Sequence, residues 1–185
     1  MDNVAVELVK NIQGAVFAYV QSDEVSVLVI NYKTLEYDPW FGNELQKIVS
    51  ISASIATWAF NEKWKELNPS VNTSAMFDSR AFVLPKEEVC NYFVFRQKDW
   101  AKNSVQMIAR AHFSHKELYK KTGNEMQDML FKKAGINWND CIGFGGAGNH
   151  SHIEIIDNNI HDVRCSHAPI TSSVDPRPTG SFITI

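Results

Sequence analysis

Asp23 and Glu24 lie in a short polar break, Gln21-Ser22-Asp23-Glu24, between two apolar runs, Ala15–Val20 and Val25–Ile30. Runs rich in β-branched and aromatic residues read as buried strands, and a short polar break between them reads as a hairpin turn. The two acids are therefore lifted on a rigid tip. Neighbouring carboxylates suit Mg²⁺, which usually takes one or two of them together with substrate phosphates. Asp and Glu are equally ordinary turn residues, so the tip by itself leaves both roles open. A second group, Arg96, Asp99 and Asn103, recurs at i, i+3 and i+7 among Val89, Phe93, Trp100 and Met107. On a helix that spacing puts an arginine, an acid and an amide into one apolar stripe. Burial there is costly unless each polar group is paired. Residue types alone favour a structural network over a site, because most buried ion pairs are not catalytic.

The elements that must carry these groups follow in order. Val4, Leu8, Val9 and Ile12 keep helical spacing behind Asp2 or Asn3, either of which can cap, and Gly14 ends that helix just before the hairpin. After a polar loop over 33–39, residues 41–67 read as a long helix with Leu45, Ile48, Val49, Ser52, Ile55, Ala56, Ala59 and Phe60 on one face. Its small residues let a sheet or second helix come close, and Asn68-Pro69-Ser70 stops it. Met76–Leu84 alternates and meets Pro85, which predicts a strand. The helix bearing the mixed stripe opens at Lys86 and runs to about Ala111. Ser114 caps a short turn, and Thr122 with Glu125 makes a capping box for a helix that Gly135 ends. Charges at Lys116, Lys120, Lys121, Lys132 and Lys133 make this the one locally basic region, a pattern that usually marks a solvated face.

Composition narrows the class. The chain has 185 residues, 44% of them apolar and 21% charged, with a net charge of −3, so no global basic field announces nucleic acid. Cys90, Cys141 and Cys165 are too widely spaced for a metal knuckle or a disulfide framework. No apolar run approaches the ~18–20 residues of a membrane span, and the start Met-Asp-Asn lacks a basic-then-apolar leader. A reduced cytoplasm is the expected location, with no membrane partner. Residues 1–140 read as one α+β domain. Residues 141–185 read as a Gly/His/Pro-rich, partly irregular segment in which Ile153–Ile156 is a candidate short strand. Gly143–Asn149 lacks the Lys-Ser/Thr of a phosphate loop, and His150, His152, His161 and His167 have no metal-finger spacing.

Five segments occur in the order seen in one family. They are Gln21-Ser-Asp-Glu24, Phe77-Asp-Ser-Arg80, Arg96-Gln-Lys-Asp-Trp-Ala-Lys-Asn-Ser104, Ser114-His-Lys-Glu-Leu118 and Gly135-Ile-Asn-Trp-Asn-Asp140. Over roughly residues 1–140 the chain resembles the tRNA-His guanylyltransferase family, most closely its bacterial and phage-type branch. The resemblance implies a polymerase- and cyclase-like palm, truncated at its N-terminal side, with an antiparallel sheet packed by long helices. It implies 3′-to-5′ nucleotide addition to tRNA 5′ ends, with GTP and ATP as substrates and two Mg²⁺ ions.

Carried onto this sequence, the resemblance makes Asp23 a metal ligand and pairs it with Glu24 in catalysis. It assigns Ser22, Arg80, Arg96, Gln97, Asp99, Asn103, Ser104, His115 and Lys116 to nucleotide or tRNA binding. Family members also carry an initial strand with an Asp-Gly-Arg-x-Phe-His-type motif that supplies a second metal-binding aspartate. This sequence starts after that strand and has Ala101 where some members have histidine. The expectations are accordingly weak Mg²⁺ binding, an unpaired hairpin edge open to self-association into a homo-oligomer, and, as the alternative to an enzyme, a catalytically incomplete module that binds tRNA or nucleotide.

Overall fold

Period-2 alternation in the first hairpin dictates the layers around it. In the computed structural model, which describes residues 1–30 and 38–138 together with the backbone of three later strands, α1 spans Asp2–Asn11 and the hairpin is β1 (Ala15–Gln21) and β2 (Glu24–Ile30). Ala18 and Val20 of β1 share one face with Val25, Val27 and Val29 of β2; this face packs on Val4, Ala5, Leu8 and Val9 of α1 and on Ile48, Ala56 and Ala59 of α2 (Leu45–Leu67). Phe17, Tyr19 and Leu28 point the other way, against Val89 and Phe93 of α3 (Lys86–His112). Because both faces are covered, nearly every position of the two strands is apolar.

The small-residue stripe on α2 has the use expected of it. Ser52 is fully buried and bonds Ser79 Oγ at 2.8 Å, and Asn3 of α1 donates to the Ala59 carbonyl at 3.2 Å. Leu45, read as part of the same face, is exposed instead. A 3-10 turn over Trp40–Asn43 precedes the helix, so its first regular residue comes later than the apolar pattern suggests.

A smaller cap closes the far end of α3. Helices α4 (His115–Leu118) and α5 (Gly123–Met129), followed by a π turn over Leu130–Ala134, bury Leu118, Met126 and Leu130 against Val105 and Ala109. Gly135, at φ 67°, ends this run in the left-handed region that glycine adopts without strain. The expected capping box at Thr122 forms, and Ser114 makes a second one with Glu117. Glu125 accepts the Thr122 N–H at 2.8 Å and the Thr122 hydroxyl at 2.9 Å, with Lys121 Nζ at 3.2 Å. Those bonds, the backbone one foremost, lower the Glu125 pKa from 4.5 to about 2. A carboxyl whose folded pKa is depressed stabilises fully above its unfolded value and loses that contribution as pH falls through the folded one. We therefore expect the box to act undiminished above about pH 4.5 and to weaken down to about pH 2. An NMR titration of the Glu125 carboxyl should find its midpoint near 2, and Glu125→Gln should lower amide protection in α5 at neutral pH but not at the acid end. A midpoint in the ordinary carboxylate range would show that the box does not hold in solution.

The first hairpin is not an edge. β4 (His150–Ile156) pairs antiparallel along β1 from Phe17 to Gln21, and β6 (Gly180–Thr184) pairs antiparallel along β2 from Ser26 to Ile30. With β3 (Arg80–Leu84) on β6 and β5 (Asn159–Val163) on β4, the sheet is antiparallel with the order β3-β6-β2-β1-β4-β5. This corrects the expected unpaired edge and removes the ground on which self-association was expected. Within the segment read as partly irregular, β4 takes in the candidate strand Ile153–Ile156, and β5 and β6 are strands the sequence did not announce. The reason is physical: His150–Ile156 and Gly180–Thr184 are short and largely polar, and a strand of that kind is defined by the partner it meets rather than by its own apolar run. The glycine run 143–149, Cys141, Cys165, His167 and the prolines at 169, 176 and 178 lie outside the described residues.

Candidate functional site

Gln21 and Glu24 are the last and first residues of their strands and oppose each other across a two-residue turn. Ser22 takes φ 56° there, the sign expected at the first central position of a type II′ turn. Alternation then decides where the neighbours point. Gln21 continues the Phe17–Tyr19 side and Glu24 the Leu28 side, so both face α3, while Ser22 and Asp23 stand exposed at the tip. On α3 the buried Phe93 is followed one turn later by Arg96 and two turns later by Asp99. The stripe that packs on the sheet therefore turns polar where the sheet ends, under the hairpin tip.

The polar groups pair across that junction. Arg96 Nη2 donates to Glu24 Oε2 in a close ion pair. Asp99 Oδ2 accepts from Gln21 Nε2 at 3.3 Å and from Asn103 Nδ2 at 3.2 Å. Ser104 is buried behind them, donating to the Ala101 carbonyl at 3.0 Å and accepting from Trp138 Nε1 at 3.1 Å. Above this network opens a pocket of about 530 Å³ lined by Gln21, Ser22, Asp23, Glu24, Arg96, Asp99, Trp100, Asn103, Ser104, Gln106, Met107 and Arg110. Two buried atoms on its wall, Arg96 Nε and Gln21 Oε1, have no hydrogen-bond partner among the described residues. A buried polar group left that way costs about 1–3 kcal/mol, which a bound polar ligand would relieve.

The structure thus gathers Ser22, Asp23, Glu24, Arg96, Asp99, Asn103 and Ser104 at one place. It leaves Gln97 off the pocket wall, and Arg80 is 80% exposed on the edge strand β3, beside Asp78 at 3.4 Å. His115 and Lys116 are exposed on the cap. Sequence reasoning missed Gln21, Gln106, Met107 and Arg110, although the signal for two of them was present. Arg96, Asp99, Asn103, Gln106 and Arg110 continue one 3/4-spaced polar line along the helix.

Comparison with known proteins places this arrangement. The family model described as tRNAHis guanylyltransferase matches residues 1–85. A bacterial tRNA(His) guanylyltransferase (Thg1)-like protein in complex with ATP superposes with a TM-score of 0.83 at 43% identity, over 93% of this chain and 73% of that one. The chain belongs to the tRNAHis guanylyltransferase family. A second structure of a bacterial family member, in complex with GTP, gives 0.69 at 40% identity, covering 90% of this chain and 69% of the other. The tRNA(His) guanylyltransferase of Saccharomyces cerevisiae, at 22% identity and a TM-score of 0.67, covers 91% of this chain and 76% of its own and shares the fold. A curated tRNA(His) guanylyltransferase from Debaryomyces hansenii is 26% identical over 76% of this chain, which spans 57% of that protein's length. The α+β architecture read from the sequence, an antiparallel sheet packed by long helices, is the one the family members share. Among the described residues no helix is long and apolar enough to cross a membrane.

Proposed function

We propose that this chain extends the 5′ end of a tRNA in the 3′-to-5′ sense: the 3′-hydroxyl of an incoming GTP or ATP bonds to the tRNA 5′ phosphorus, expelling pyrophosphate from a 5′-triphosphate end or AMP from a 5′-monophosphate end first activated with ATP. The observation that carries this reading is the pocket under the hairpin tip, where a fixed arginine and an exposed carboxylate face one cavity. Arg96 is held by Glu24 with its Nε buried toward the pocket, and a guanidinium so fixed is a forked donor for phosphate oxygens. Arg110 adds a second cation on the same wall. Asp99, held by two amides, is an acceptor for a ribose or terminal hydroxyl.

The donor set fits one Mg²⁺ arriving on a triphosphate. Asp23 is exposed, carries no ion pair among the described residues, and offers the single carboxylate such an ion needs beside phosphate oxygens. Bound there, Mg²⁺ would supply charge neutralisation at the transferring phosphate. A two-ion site is not built by the described acids, since Glu24 is engaged by Arg96 and no group of three or more His, Cys, Asp or Glu comes together among them. That same observation favours a second reading, a module that binds nucleotide or tRNA without turning it over.

One assay separates the two. The chain is incubated with Mg²⁺, ATP, labelled GTP and tRNA transcripts carrying either a 5′-monophosphate, which ATP must first activate, or a 5′-triphosphate. The proposal expects a product longer by one nucleotide at the 5′ end. Nucleotide binding without any such product would leave the module as the reading. The pairing of a tRNA-processing role with the expected reduced compartment makes the cytoplasm the proposed location.

A further inference from the structure

Gln21 and Asp99 meet across the junction of β1 and α3, and both line the pocket. Their contact decides which atoms each has left over. A carboxylate oxygen accepts, so Gln21 must turn its NH2 toward Asp99 Oδ2, and that chemistry settles the flip of the amide. The Gln21 carbonyl oxygen, Oε1, is then buried with no hydrogen-bond partner among the described residues, on a residue only 7% exposed. On Asp99, Oδ2 takes both amides, from Gln21 at 3.3 Å and from Asn103 at 3.2 Å. Its other oxygen, Oδ1, receives no donor among the described residues.

The pocket wall therefore offers two acceptors on side chains that already touch. A ligand must answer them with two donors held close together. Phosphate oxygens are themselves acceptors, and an isolated hydroxyl answers only one of the pair. A vicinal diol, as on a ribose, answers both. A bare cation also suits two acceptors, but Arg96 stands one helical turn from Asp99 on the same wall and opposes a second positive charge there. A neutral diol meets no such opposition.

We propose that Asp99 and Gln21 form a ribose subsite, accepting the 2′- and 3′-hydroxyls of a bound nucleotide, with Asn103 as the positioning residue for Asp99. The inference rests on the reading that the pocket binds a nucleoside triphosphate, and it adds selectivity for ribonucleotides over deoxynucleotides. It also divides the pocket, with phosphates toward Arg96 and sugar one turn further along α3. Because the 3′-hydroxyl is the group that attacks in the proposed reaction, the contact that selects the sugar also orients the nucleophile.

The test is isothermal titration calorimetry of the full chain with GTP and with 2′,3′-dideoxy-GTP, over a Mg²⁺ series. GTP should bind more tightly by on the order of ten- to a hundred-fold, the loss expected when a hydrogen bond to a charged acceptor goes unmade. Gln21→Met removes one acceptor and one of the amides that hold Asp99; Asn103→Ala, at an exposed position, removes the other amide. Both variants should narrow the preference by weakening GTP, while the dideoxy analogue stays within about twofold of its wild-type affinity. Equal wild-type affinity for the two nucleotides would overturn the proposal. Variants that weaken both nucleotides alike would do the same, since that is the mark of a merely structural amide. A shifted Mg²⁺ midpoint with the preference intact would give the two acceptors to a cation, and the ribose subsite would fall. The 5′-addition assay run in parallel keeps this inference apart from the reading beneath it. Ribose preference with no 5′ product removes the transferase and keeps the subsite; product formation with equal affinities does the reverse.

Discussion

Asp23→Asn is expected to abolish 5′ nucleotide addition, by about a hundred-fold or more, while leaving the melting temperature within about 2 °C of the parent. The two halves of that expectation have separate origins. Asp23 is exposed at the turn, with no ion pair among the described residues, and the positive φ of the turn falls on Ser22 rather than on Asp23. Asparagine is itself a favoured turn residue, so folding has little to lose. Function has much more to lose, because Glu24 is tied to Arg96 and Asp23 is the exposed acid through which a triphosphate-borne Mg²⁺ could be held. Steady-state rates over a Mg²⁺ series, beside thermal melts of both proteins, make the comparison. A variant that keeps its rate within about threefold at every Mg²⁺ concentration would remove Asp23 from the chemistry.

What could be foreseen of this site came from two periodicities. Alternation along Phe17, Tyr19 and Gln21 and the 3/4 spacing of Phe93, Arg96 and Asp99 are both local, and each continues a buried pattern into a polar one. Where two such patterns end together, a site is legible. Gln21 escaped notice because an amide between Val20 and Ser22 looks like turn chemistry until the facing helix supplies Asp99 at 3.3 Å. The strand expected from Met76 shows the opposite failure. Its first residues are held by α2 side chains instead of a ladder: Asn61 exchanges two hydrogen bonds of 2.9 Å with Ala75, and Thr57 Oγ1 accepts the Phe77 N–H at 3.1 Å. Regular pairing then begins only at Arg80. The late strands were the least legible elements: residues more than a hundred positions away set the register of β4 and β6, and β5 in turn pairs locally with β4.

The ion pair at the pocket wall yields the second large effect. Arg96 is 14% and Glu24 34% exposed, between an exposed pair worth about 0–1 kcal/mol and a fully buried one whose disruption costs about 3–5 kcal/mol. Arg96→Met should therefore cost about 2 kcal/mol, because it leaves the half-buried Glu24 carboxylate without its partner rather than because the pair itself is strongly stabilising. For a chain of 185 residues that corresponds to a fall in melting temperature of about 4–8 °C. Adding Glu24→Gln should recover about half of the loss, since a neutral amide tolerates the site better than an unpaired charge. Nucleotide affinity separates structure from function. If Arg96 serves only to neutralise Glu24, the double variant regains both stability and nucleotide binding. If its guanidinium also meets phosphate, stability returns while the Kd for ATP stays raised by about ten-fold or more, the loss expected for one charge-assisted contact. Arg96→Lys should sit with the second outcome, because one ammonium cannot hold Glu24 and reach a phosphate with the same fork.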